Sequence, residues 1–227
     1  MKGGWRAILL GEALETTYQG WRPRKLLWQF HIPTQIEVNA TYPKGSAYPW
    51  RMRVAVFCSS SPTIDSKYFD LATDLGVAIG ARKWDLVSGG GHISMMGAVA
   101  RGVRASGGRT IGVIPQSLVD IEFADHDNHE LHVVDSMRER KAKMEDLSDA
   151  FIALPGGPGT LEELFEIWVG RFLNFHNKPV IILDPFGIYG PLRDLLDHLE
   201  VHGFVKPGQR ELLRWCVSVE QALALCL

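Results

Sequence analysis

The chain is predicted to fold as a doubly wound parallel α/β sheet, a Rossmann-like three-layer sandwich, in a single domain preceded by an irregular N-terminal arm. Three observations lead there. From residue 54 onward short apolar runs recur, amphipathic helical segments separate them, and glycine-rich turns follow two of the runs. Strands alternating with helical patterns of about 10–15 residues read as βαβ units, which form parallel sheets buried on both faces with right-handed crossovers.

The strand candidates in order are Val54 to Cys58, Asp85 to Ser88, Thr110 to Ile114, Leu131 to Val134, Ala150 to Leu154 and Val180 to Leu183. The helical segments between and after them are Tyr68 to Ala81, Ile93 to Ala105, Met137 to Leu147, Leu161 to Phe172 and Leu192 to His202. A last strand and helix fall near Trp215 to Leu227. Residues 116–130 read as a long loop rich in Asp and His. In such sheets ligands bind beyond the carboxyl ends of the strands, where both glycine turns lie.

Residues 1–51 lack any sustained period. They carry four of the seven Trp (Trp5, Trp21, Trp28, Trp50) along with the loop signals Pro23, Pro33, Pro43 and Gly45-Ser46. They read as an irregular extension, with residues 52–227 as the folded domain and Met52 as a candidate natural start.

Bulk properties narrow the function. At 227 residues and 46% hydrophobic content the chain can bury one well-covered core. Twenty-four basic residues against 26 acidic ones give a net charge of −2 without a basic run, which disfavours nucleic acid as a partner. The three cysteines, Cys58, Cys216 and Cys226, show neither CxxC nor Cys/His metal spacing and fit a reducing, cytoplasmic setting. No apolar run approaches the roughly 18 residues that a membrane span requires, and no signal-peptide core is visible near the N-terminus.

The sharpest local signal is Leu154-Pro155-Gly156-Gly157-Pro158-Gly159-Thr160-Leu161-Glu162-Glu163. Glycines expose backbone N–H groups, and the helix that follows adds a positive dipole end, so the segment makes a seat for an anion such as phosphate. Thr160 and Glu163 also match the capping-box spacing, and the pattern alone leaves both readings open. The second turn, Ser88-Gly89-Gly90-Gly91-His92, reads as a ligand-facing loop, because three glycines cost backbone entropy unless close approach is needed. Cys58-Ser59-Ser60-Ser61-Pro62 could hold a polar ligand or serve as an ordinary βα turn.

In Ser136 to Met144, Arg140 shares a helical face with Met137 and Met144. A guanidinium on an apolar face requires a carboxylate or phosphate partner, unless it snorkels to solvent. Neither glycine turn carries a triphosphate or dinucleotide fingerprint. Trp168, Phe172, Phe175 and His176 either complete the core or face a partner helix.

Together these segments resemble the Lonely guy family of cytokinin riboside 5'-monophosphate phosphoribohydrolases. Leu154 to Glu163 is similar to that family's PGGxGTxxE motif and Met137 to Lys141 to its Arg-Lys helix, and the Gly89-Gly90-Gly91 and Cys58-Ser59-Ser60 turns resemble its other two. The likeness spans about residues 52 to 225. It implies cleavage of the N-glycosidic bond of a nucleoside 5'-monophosphate, yielding free base and ribose 5-phosphate, by a homodimer with no metal or organic cofactor.

The resemblance makes Arg140 and Glu163 the catalytic pair. Gly156, Gly157, Gly159 and Thr160 become the phosphate and ribose seat, and Glu122, Lys141, Glu162, Ser59, Gly90 and Gly91 further substrate contacts. Pro158, which has no N–H, departs from many members. Family proteins are sometimes labelled lysine decarboxylases, but that chemistry needs pyridoxal phosphate on a lysine, and no lysine stands out for the role. A broad purine nucleotide nucleosidase and a non-catalytic nucleotide sensor remain as alternatives.

Overall fold

The computed structural model describes residues 51–119 and 123–227. The proposed irregular arm, all but Arg51 of it, therefore lies outside the described residues, as does Glu122. Seven strands form one all-parallel sheet in the order β4-β3-β2-β1-β5-β6-β7. They are β1 (Arg53–Phe57), β2 (Asp85–Ser88), β3 (Arg109–Pro115), β4 (Glu130–Val134), β5 (Ala150–Ala153), β6 (Val180–Leu183) and β7 (Leu213–Cys216). The intervening helices are α1 (Ser66–Ala81), α2 (Ser94–Ala105), α3 (Gln116–Val119), α4 (Met137–Leu147), α5 (Pro158–Phe172), α6 (Gly190–Val201), α7 (Pro207–Arg210) and α8 (Val219–Leu225).

The strands are apolar on both faces because both faces are covered. Along β1, Val54 and Val56 join one core cluster with Leu75 of α1, Val99 of α2 and Leu223 of α8. Ala55 and Phe57 point the other way and pack with Met144 of α4, Leu164 and Trp168 of α5 and Leu196 of α6. This period-2 division of one strand between two helical layers is the three-layer sandwich the sequence predicts.

Strand order reverses between β1 and β5. Crossovers from β1 run outward through β2, β3 and β4, whereas those from β5 run outward through β6 and β7. A crevice opens at such a point because the flanking loops diverge in opposite directions. The loop after β1, the loop after β5 and the first turn of α5 all meet there.

Beyond shifts of one or two residues at the ends of several elements, three elements differ from the expectation. Gln116–Val119 forms a short helix within the presumed loop, whose far side pairs through an antiparallel bridge between Gly91 and Ala124. Pro207–Arg210 is a second one-turn helix. Helix α5 begins at Pro158 rather than Leu161, because proline's fixed φ suits the first helical position and its missing N–H costs nothing there. Trp168 belongs to the core, 4% exposed, with its indole N–H donating to Gln209 O. No helix among the described residues is long and apolar enough to cross a membrane.

Candidate active site

At the switch point lies a cavity of about 580 Å³. Its polar wall is assembled from four segments distant in sequence: the serine turn after β1, the glycine turn after β2, helix α4 and the loop into α5.

Helix α4 is held at its start by Ser136, whose hydroxyl accepts from Glu139 N, and it buries a single face. Arg140 and Met144 are its buried residues. The guanidinium is satisfied from two sides: Nε donates to Val113 O on β3 at 3.2 Å, and Nη1 lies 3.1 Å from Glu163 Oε1. Both side chains are only 11% exposed. A charge at that depth requires a partner, and each supplies the other's.

Glu163 sits in the second turn of α5. Burial, the largest influence, raises its carboxyl above the ordinary value of 4.5, and the charge of Glu162 pushes the same way. The Arg140 guanidinium opposes them and lowers it. The net is a raised carboxyl held against a guanidinium. That carboxylate is poorly hydrated and can answer positive charge developing beside it.

The capping-box alternative for Thr160 and Glu163 does not form. Gly157 is the N-cap of α5, no side chain caps it, and the Glu163 carboxylate turns to Arg140 instead. Thr160, 4% exposed, lies at the cavity wall.

Several of the remaining candidates share this wall. Ser59, Gly91, Gly157, Gly159 and Glu162 line the cavity together with the pair. Gly156 stands just behind, its carbonyl accepting from the Tyr189 hydroxyl at 3.2 Å. Gly90, with φ of +75°, turns toward the sheet, and its carbonyl accepts from Asp125 N at 2.7 Å. Lys141 is set apart from the cavity: its ammonium is clasped between the Glu162 and Glu166 carboxylates, which raise its pKa, and it faces a narrow cleft beside Phe57 and Ile167.

The apolar part of the wall escaped the sequence reading. Ile93, Met96, Leu118, Phe123 and Met137 line it. Met96 follows the triple glycine and Phe123 is an aromatic residue in a polar loop, yet neither signal separates a lining residue from a core one. Cys58 completes the wall, where burial first and then the charge of Glu163 push its thiol far above its usual range, so it remains protonated.

Comparison with known proteins identifies the family. A family model described as "Possible lysine decarboxylase" matches residues 96–226. The chain is 51% identical over 173 residues to a cytokinin riboside 5'-monophosphate phosphoribohydrolase of Mycobacterium tuberculosis, covering 76% of this chain and 92% of that one. It is 45% identical over 160 residues to the phosphoribohydrolase LOG5 of Arabidopsis thaliana, covering 70% of each. Among solved structures, the molybdenum cofactor binding protein of Rippkaea orientalis superposes with a TM-score of 0.60 at 21% identity, over 78% of this chain and 95% of that one. That likeness concerns the fold alone. By identity and coverage, the chain belongs to the family of cytokinin riboside 5'-monophosphate phosphoribohydrolases.

Proposed function

We propose that the chain hydrolyses the N-glycosidic bond of a purine nucleoside 5'-monophosphate, releasing free base and ribose 5-phosphate. The observation that carries this reading is the 3.1 Å contact between Arg140 and Glu163 inside a cavity bordered by the N-terminus of α5. The 5'-phosphate docks on the exposed backbone of Gly157 and Gly159, where peptide N–H groups and the helix dipole favour an anion.

As the C1'–N bond lengthens, its electron pair leaves with the base and positive charge gathers on the ribose. The Glu163 carboxylate stabilises that charge and orients water, whose oxygen bonds to C1'; one of its protons stays on the new C1' hydroxyl and the other passes to the departing base. Arg140, with its guanidinium always charged, holds phosphate or ribose oxygens and aligns Glu163 rather than donating a proton.

The relatives' activity, in name, supports a cytokinin riboside 5'-monophosphate as substrate, with AMP as the simpler alternative. The hydrolase domain is residues 52–227. We place the protein in the cytoplasm as a homodimer: its three cysteines are free thiols, and Val169, Leu173 and Phe175 project from the end of α5 and the residues just after it, with Phe175 77% exposed. A base-release assay over a panel of nucleoside monophosphates tests the reading. Release from a 5'-monophosphate, lost in Glu163→Ala and Arg140→Ala, is expected. Binding without release, unchanged by Glu163→Ala, would favour a nucleotide sensor.

A further inference from the structure

Tyr189 does not line the cavity, yet it touches the loop that does. It is 4% exposed at the N-terminus of α6 and packs within the second core cluster. Its hydroxyl lies 3.0 Å from Leu154 O and 3.2 Å from Gly156 O. A phenol has one proton to donate, so the two carbonyls share it. Burial, the main cause, pushes this phenol far above its usual range and keeps the donor in place.

The tyrosine is itself anchored. Asp184, 8% exposed just after β6, accepts from Ile188 N at 3.0 Å and from Tyr189 N at 2.7 Å, while its own N–H donates to Cys216 O at 3.0 Å. A continuous hydrogen-bonded strut thus runs from the end of β7 through Asp184 and Tyr189 to the glycine loop.

In a trans peptide the C=O and N–H of one unit point in opposite directions, and no described peptide is cis. The Gly156 carbonyl faces Tyr189, so the N–H of the same unit, carried by Gly157, faces away from it. Gly157 lines the cavity whereas Gly156 and Tyr189 do not, and no described residue accepts a hydrogen bond from that N–H.

We propose that Tyr189 is a positioning residue for the anion seat, fixing the Gly156–Gly157 peptide so that the Gly157 N–H meets the phosphate ester. The inference rests on the proposed docking of a 5'-phosphate on this loop and adds the residue that aims it. The role belongs to the phosphate alone, which separates it from a general packing role.

The test is Tyr189→Phe, which removes only the hydroxyl. It is measured by calorimetric binding of ribose 5-phosphate, by steady-state kinetics on AMP and by competitive inhibition with phosphate-free adenosine. One lost hydrogen bond to an anion seat predicts that the Kd of ribose 5-phosphate and the KM of AMP rise about five- to tenfold, with kcat changed less. Adenosine inhibition stays within about twofold, because it never engages the Gly157 N–H.

Unchanged ribose 5-phosphate binding overturns the proposal, as does an equal weakening of adenosine, which would mean general loosening. Should the phenylalanine variant fail to fold, Asp184→Asn loosens the same strut from behind and is expected to weaken ribose 5-phosphate about two- to threefold. No change there overturns the proposal equally. Wild-type protein that binds ribose 5-phosphate without releasing base from any nucleoside monophosphate of the panel removes the hydrolase reading and leaves the strut to be judged by Kd. Wild-type protein that binds no ribose 5-phosphate overturns the strut.

Discussion

A Cβ added at Gly89 would lie 1.8 Å from Arg140 Nη2, whereas one added at Gly157 or Gly159 would meet nothing within 4 Å. The two glycine turns look alike in composition and border the same cavity, but their glycines answer different demands. At Gly89 the missing side chain leaves room for a guanidinium of the protein itself. At Gly157 and Gly159 it leaves bare peptide facing open space that a ligand can occupy, while Gly156 beside them packs against Thr160. A run of glycines therefore marks close approach without saying whether the approaching group is resident or visiting.

The Arg140–Glu163 pair sets the upper limit of any effect. Glu163→Gln keeps a group that Arg140 can bond but removes the anion, and base release is expected to fall by about 10²–10⁴-fold in kcat, with substrate binding largely kept. Next comes Gly89→Ala. Its methyl group must displace the Arg140 head, so kcat is expected to drop at least about tenfold, and denaturant melts to show a loss of about 1–3 kcal/mol from overpacking.

Gly157→Ala should behave otherwise. Its φ of −90° suits alanine and the space beside it is open. Stability should stay within about 1 kcal/mol of wild type while the KM for a nucleoside monophosphate rises a few fold. Matching profiles for the two alanine variants would break the comparison.

The smallest effect is one of pH. Because burial raises the Glu163 carboxyl above 4.5, the acid limb of kcat/KM should lie above that value, with activity lost as pH falls through it. Glu162→Gln removes a charge that contributes to the rise, and the limb should move down. For stability the sign is reversed. The folded state holds this proton more tightly than the unfolded chain, so the site's contribution, complete below 4.5, is lost as pH rises through the raised value.

The layered fold was legible in the sequence because each strand is a short apolar run bounded by turns, and β2, β6 and α4 match their expected bounds to the residue. The one-turn helices Gln116–Val119 and Pro207–Arg210 were not, since four residues are too few to show a period. Arg140 was readable as a buried cation from its spacing to Met137 and Met144. Its partner was harder, because Thr160 to Glu163 fits a local cap as well as a distant ion pair, and only the fold brings α4 and α5 together. Tyr189 gave no local sign of its contact with Gly156, which depends on how β5 and β6 lie side by side. The clasp on Lys141 was invisible for the same reason: Glu162 and Glu166 are one helical turn apart, but nothing near them names the cation.

Glu163 has a cation for company within the protein itself, the Arg140 guanidinium at 3.1 Å. That resting partner occupies the part that a flattened, electron-poor sugar ring takes up midway through bond cleavage. A phosphorylated pyrrolidine whose ring nitrogen carries a proton would present the same charge permanently. Such an imino-sugar should therefore be held far more tightly than the neutral ribose 5-phosphate ring it imitates.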